Sequence, residues 1–211
     1  MTSAWIIQQM KIRISPLTGR RKDNGGMNCV ILFSGKAESG KTLAANIFKE
    51  YLEKLGYRVA IIPYASYLKE TAKLIFNWDG KKDAKGREIL QMWGTEIVRK
   101  KDPDFWANSV RRLVDVVGDA IDYVLIDDVR FPNEIDIWKD TAHMTVRIER
   151  PGHENILTKE QRNHISETAL DTYPFDLVFS GTNRNELERA IYDQMKNYKS
   201  NFGGLKNETQ V

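Results

Sequence analysis

The feature that most restricts this chain is the octapeptide Gly35-Lys36-Ala37-Glu38-Ser39-Gly40-Lys41-Thr42, which fits G-x-x-x-x-G-K-[ST]. The apolar run Cys29-Val30-Ile31-Leu32-Phe33 precedes it, and Leu43, Ile47 and Tyr51 follow at helical spacing, interleaved with Ala44, Phe48, Leu52 and Leu55. A strand buried on both faces, a glycine-bearing turn and an amphipathic helix are therefore expected in immediate succession. Glycines let the backbone curl until successive N–H groups point inward, and the helix behind them adds about half a positive charge at its first turn. Such a loop cradles phosphate. Gly35, Ala37, Glu38, Ser39, Gly40, Lys41 and Thr42 would surround a polyphosphate, with the Lys41 ammonium on its outer phosphates and the Thr42 hydroxyl on Mg²⁺. An ordinary turn carrying Lys41 as a surface cation does not account for the strand and helix on either side. A nucleoside triphosphate site is expected here.

Strand-like and helix-like runs alternate from there on. Val59-Ala60-Ile61-Ile62, Tyr123-Val124-Leu125-Ile126, Thr145-Val146-Arg147-Ile148 and Asp176-Leu177-Val178-Phe179 read as further buried strands. Helices are expected over 67–76, then on the faces Ile89, Trp93, Ile97 and Trp106, Val110, Leu113, Val117, and after Phe131-Pro132. A last helix opens on Asn183 and Glu186 as a capping pair and shows Leu187, Ile191 and Met195. Buried strands separated by helices imply an α/β fold: a three-layer sandwich around a five-stranded, mostly parallel sheet with helices on both faces. Residues 1–27 read as a flexible or weakly structured leader, 28–199 as the folded domain and 200–211 as a polar tail. The polar, weakly periodic stretch 150–172 reads as a flexible lid.

The third strand ends in two carboxylates. Ligands gather at the carboxyl ends of strands in open α/β sheets, so Asp127 or Asp128 can hold the metal's water shell, with Asp128 preferred. The competing role is a cap on the next helix or a pairing with Arg130. A guanidinium at Arg130 suits a second phosphate, because it grips oxygens in a bidentate fork. Trp93 and Trp106 can stack near a nucleobase, although both also fit helix core faces. Asn133 and Glu134 can contact an acceptor sugar or base, or satisfy the first turn of a helix. His164, Ser166 and Glu167 can anchor the return of the flap or meet nucleotide when it closes. The histidines show no H-E-x-x-H spacing, so zinc is not expected.

Taken in order, Leu90-Gln91-x-Trp93-Gly94-Thr95-Glu96, Asp104-x-Trp106, Asp128-Val129-Arg130-Phe131-Pro132-Asn133-Glu134, Glu149-Arg150-Pro151-Gly152 and His164-x-Ser166-Glu167-x-x-x-Asp171 resemble the bacteriophage deoxynucleoside monophosphate kinases over about residues 28–195. The resemblance implies transfer of the γ-phosphate of ATP to a deoxynucleoside monophosphate, with Mg²⁺, on a fold like that of adenylate kinase. It also implies that Arg130 meets the acceptor phosphate and that Arg150 belongs to the donor side or lid, so the catalytic candidates are these two with Lys41 and Asp128 from the reading above. Thr42 and Asp128 would serve the metal, and Arg130, Asn133, Glu134, Trp93, Glu96 and Trp106 the acceptor. Arg162 is a second candidate for the arginine that covers the transferring group.

Composition removes other classes. Thirty-two Lys and Arg against 29 Asp and Glu leave a net charge of +3, too mild for a nucleic-acid binder. One cysteine, Cys29, cannot form an internal disulfide, and no apolar run approaches the roughly 18 residues of a membrane span. The expectation is a cytoplasmic enzyme (the host cytoplasm, if of phage origin) acting as monomer or homodimer on small-molecule nucleotides. Two other readings stay open. A related kinase resembling phosphomevalonate kinase shares the Asp-x-Arg, and an NTP-driven switch or motor shares the cradle. A guanine-reading N-K-x-D is absent, since the chain offers Asn183-Arg184-Asn185-Glu186.

Overall fold

The computed structural model describes residues 29–81, 83–153 and 157–202. The expected leader, 1–27, and residues 203–211 of the expected tail lie outside the described residues. Five strands form one sheet: β1 (Cys29–Ser34), β2 (Val59–Ile61), β3 (Tyr123–Val129), β4 (His143–Glu149) and β5 (Leu177–Ser180), in the order β2-β3-β1-β4-β5. Every pairing is parallel, so the expected mostly parallel sheet is parallel throughout. Parallel neighbours need crossovers, and the helices between the strands supply them. The fold is α/β.

The crossovers are α1 (Lys41–Lys54), α2 (Ala65–Phe76), α3 (Ala84–Gln91), α4 (Phe105–Val117) and α5 (Pro132–Asp136), with α6 (Lys159–Arg162), α7 (Ile165–Thr168) and the long α8 (Arg184–Phe202) after β4. Strand alternation sorts the core into two halves. Ile31, Phe33, Leu125, Val146 and Ile148 meet Ala44, Phe48, Leu52, Leu187, Ile191 and Met195 of α1 and α8. Val30, Leu32, Val124 and Ile126 meet Ala107, Val110, Val114, Ile135 and Trp138 on the other face. Three layers result.

Two details differ from the sequence reading. The buried face of α4 is Trp106, Ala107, Val110 and Val114, so Leu113 and Val117 sit at its margins. The helix expected on the face Ile89, Trp93 and Ile97 is not α-helical throughout: α3 ends at Gln91 and the chain continues as a π-helix over Met92–Arg99. Its wider turn leaves backbone carbonyls free for other donors, and Gly94 O accepts the buried Trp106 Nε1–H at 3.1 Å. Gly94 itself lets this stretch lie against Leu68, whose Cδ2 would stand 2.9 Å from an added Cβ. Among the described residues, no helix is long and apolar enough to cross a membrane.

Close backbone approach also joins β5 to α8. A Cβ on Gly181 would stand 2.6 Å from Leu187 N and 2.9 Å from Leu187 Cα. Gly181→Ala must shift the first turns of α8 off the sheet, at a cost of about 1–3 kcal/mol. Thermal denaturation should show a lowered Tm, and an unchanged Tm contradicts this packing.

Candidate functional site

β1 is the middle strand, flanked by β3 and β4, and the chain builds first on the side of β3 and β2 and then crosses to the side of β4 and β5. A crevice opens at the carboxyl ends of such strands. Into it come the loop between β1 and α1, the end of β3 with Arg130, and the segment after β4. A cavity of about 780 Å³ occupies the crevice, lined by Lys41, Thr42, Asp127, Asp128, Arg130 and Glu167 on the sheet side and by Lys69, Arg87, Gln91, Thr95 and Trp106 beyond.

The loop is wound tightly. Gly40 has φ 99° and Glu38, unusually for a residue with a side chain, φ 60°. A Cβ on Gly35 would stand 2.4 Å from Ile148 O, so the loop lies directly on β4. Ser39 Oγ is enclosed within the turn and has no hydrogen-bond partner among the described residues. Lys41 folds back beneath the loop, its Nζ donating to Gly35 O at 2.9 Å and Lys36 O at 2.7 Å. Burial, reinforced by the neighbouring Arg130 charge, pulls its ammonium from 10.5 down to about 7. The same burial-driven logic pushes the Cys29 thiol up to about 12, which leaves it an inert core group.

The two carboxylates of β3 part company. Asp127 continues the row of Tyr123 and Leu125 toward α1 and accepts the Thr42 hydroxyl at 2.6 Å. Asp128 faces the opposite way and accepts the amides of Tyr64 and Ala65, each at 2.8 Å, at the start of α2. Burial raises its carboxyl pKa, while those amides hold it down. The sequence reading preferred Asp128 for the metal. The structure sets Asp127 beside Thr42, whereas Asp128 caps α2, a helix earlier in the chain, rather than the helix that follows β3. A register shift in the β1–β3 ladder, between Leu32↔Ile126 and Ser34↔Val129, lies where the two acids stand.

Arg130 reaches back over the loop. Its Nη1 donates to Glu167 Oε1 at 2.6 Å and lies 3.4 Å from both Gly35 O and Ser166 O. Glu167, on α7, also accepts the Ala37 amide at 2.9 Å. Lys36 Nζ donates to Glu167 O at 2.6 Å and to Asp171 at 2.5 and 2.6 Å, and Arg147 reaches Asp171 at 3.2 Å. The segment 164–171 is thus tied to the loop through Lys36, Glu167 and Asp171, and to the ends of β3 and β4 through Arg130 and Arg147.

The far wall is built on a buried ion pair. Glu134, 2% exposed at its side chain, pairs with Arg99, accepts the amides of Arg130 (2.6 Å) and Phe131 (3.1 Å), and so holds the turn after β3. Arg99 lies over the Phe131 ring at 4.1 Å. Trp138 Nε1 donates to Tyr64 Oη (2.6 Å), which donates in turn to Glu134 O (2.5 Å). Glu134 therefore has the helix-start role of the two considered, although it also lines the cavity. Asn133 is turned outward, donating to Asp104 Oδ1 at 2.7 Å and Pro103 O at 2.9 Å.

Of the two tryptophans, only Trp106 lines the cavity. Trp93 packs edge-on against Phe76 and donates to Thr71 Oγ1 at 2.8 Å. Glu96 is exposed, 3.7 Å from His164 Nε2. Arg150 lies on the opposite flank of the loop, donating to Thr182 O (3.2 Å) and Glu38 O (3.4 Å), with the His153–Glu38 pair beside it. A second cavity of about 410 Å³ opens there. Arg162 is exposed on α6. Sequence reasoning missed Lys69, Arg87 and Arg99. Arg87 and Gln91 share one face of α3 at i, i+4, a signal that was present but indistinguishable from a solvated helix face.

The family described as deoxynucleotide monophosphate kinase matches residues 59–193, from β2 into α8. No curated protein matches the chain. Among solved structures, the Mycobacterium tuberculosis APS kinase CysC is similar at 14% identity and a TM-score of 0.41 as a cysteine-to-alanine mutant. That match covers 81% of this chain and 99% of that one. Its complex with AMPPNP and APS is similar at 12% identity and a TM-score of 0.44, over the same shares.

Two outcomes test this geometry. Arg99→Leu strands the Glu134 carboxylate in the interior and should cost about 3 kcal/mol in chemical denaturation; a loss near zero contradicts the buried pair. An anion beside Lys41 raises its depressed pKa, so ADP binding at about pH 8 should take up a proton, and affinity should fall as pH rises above 7. Calorimetry in buffers of different ionisation heat checks this, and Lys41→Arg should abolish the uptake.

Proposed function

Because the chain belongs to the deoxynucleotide monophosphate kinase family, and so to the phosphotransferases, we propose that it transfers the terminal phosphoryl group of ATP to a deoxynucleoside monophosphate, yielding the diphosphate. The observation that carries this reading is the continuity of the 780 Å³ cavity, which has Lys41 and Thr42 in its lining together with Arg87, Gln91 and Trp106. Its volume lies within the roughly 300–1,000 Å³ of small-molecule sites.

The donor's phosphates occupy the cradle, against the amides of 37–42 and Lys41. Thr42 Oγ1 and Asp127 Oδ2, 2.6 Å apart and both in the cavity lining, form an all-oxygen pair of the kind that suits Mg²⁺, so these residues would hold it. When bound, that ion neutralises charge on the phosphate oxygens. Asp128 fixes the start of α2 and thereby the acceptor wall. The side chains of Lys69 and Arg87 have no hydrogen-bond or ion-pair partner among the described residues and line the same cavity. They supply positive charge for the acceptor's dianion, with Arg130 between the two phosphates. The acceptor oxygen is already ionised at neutral pH, so alignment and charge neutralisation suffice and no general base is needed. Trp106 floors the acceptor side, and Arg150 belongs to the donor flank. The deoxynucleotide preference rests on the family. The single cysteine and the nucleotide substrates suit cytoplasmic deoxynucleotide supply.

An ATP-coupled assay across all deoxy- and ribonucleoside monophosphates tests the reading. At least one deoxynucleotide should be phosphorylated, and ATP hydrolysis with no phosphorylated acceptor would reject it. Lys41→Ala should cut turnover by about 10³-fold or more. Arg130→Ala should raise KM for the acceptor far more than for ATP.

A further inference from the structure

The Glu167 carboxylate stands where the cradle points its donors. Oε2 takes the Ala37 N–H at 2.9 Å, Oε1 takes Arg130 Nη1 at 2.6 Å, and the side chain is 9% exposed. It is also among the charges that act on Lys41. The loop amide and the buried ammonium are assigned above to the donor's polyphosphate, and the guanidinium across the crevice to the place between the two phosphates. A carboxylate is the side chain closest to a phosphate in charge and in the spacing of its acceptor oxygens. We infer that Glu167 is a built-in stand-in for a phosphate of the bound nucleotide: it occupies the phosphate's donors in the empty enzyme and yields them to the nucleotide. The inference rests on the reading of the loop as a nucleotide site and names a regulator of that same site.

The reason is electrostatic. Lys41 and Arg130 converge on a loop whose amides are also positive ends, and an empty cradle leaves that charge unbalanced. Glu167 supplies the balance and keeps Arg130 aimed at the loop. The Ala37 amide has one hydrogen, and sharing it would press the Glu167 carboxylate against an anionic phosphate oxygen, which like-charge repulsion opposes. Nucleotide must therefore displace the carboxylate, and with it α7 and the hold of Lys36 on Glu167 O. Apparent affinity falls by the fraction of molecules in which the stand-in is already withdrawn.

The test titrates the full-length protein, Glu167→Gln and Asp171→Asn with pyrophosphate and with ADP, at fixed ionic strength, with Tm as a check on folding. Glu167→Gln should bind pyrophosphate about tenfold more tightly than the parent. Asp171→Asn removes a charge from the same segment but touches neither Ala37 nor Arg130, and should change affinity less than about threefold. Equal or weaker binding by Glu167→Gln overturns the inference, as does an equal gain in both variants. If Glu167→Gln does not fold, Glu167→Asp, one methylene too short to span both donors, should show the same gain, and no gain overturns the inference. A folded parent that binds neither probe removes the nucleotide site itself, and the stand-in with it. A parent that binds ADP while Glu167→Gln gains nothing removes the stand-in alone.

Discussion

Burying the Lys41 ammonium beside a second cation costs free energy, and much of the surrounding structure follows from that cost. The side chain lies beneath the loop after β1, its ammonium drawn down to about 7 by desolvation and by Arg130. Two carbonyls of the loop accept its hydrogens, two acids of β3 stand close by, and Glu167 comes across from another part of the chain to face Arg130.

The sheet makes this arrangement possible. Only a parallel sheet brings the carboxyl ends of β1, β3 and β4 side by side, so that residues more than 80 apart, Thr42 and Asp127, can share a hydrogen bond. The wall opposite the loop uses a different device. The Glu134–Arg99 pair is buried and tied to two amides, to Phe131 and through Tyr64 to Trp138, so the turn carrying Arg130 is held from behind. A π-helix then brings Gly94 O over Trp106 and shapes the floor.

Much of this was legible in the residues. The five strands and the helices between them announce themselves through apolar runs and 3.6-residue periods, which report burial directly. The glycine loop is legible because its chemistry needs a fixed spacing within eight consecutive residues. The helix faces were less so. On α4 the pattern points to Leu113 and Val117, whereas packing buries Ala107 and Val114, because small residues let the helix sit closer to the sheet. Lys69 and Arg87 were not legible, since a charge facing a cavity looks the same in sequence as one facing water.

The Asp127-Asp128 pair shows where the division falls. The sequence by itself determined that two carboxylates end a buried strand beside a phosphate loop, because composition and order settle that much. Which acid faces Thr42 is a matter of strand parity, and a strand buried on both faces carries no alternation from which parity can be read. Tertiary structure decided it, through the pairing of β1 with β3 and the register shift next to the acids. The meeting of Glu167 with Ala37 and Arg130 was decided in the same way. Contacts spanning 130 and 37 positions have no local signature, since they depend on where the folded chain returns rather than on what surrounds each residue in sequence.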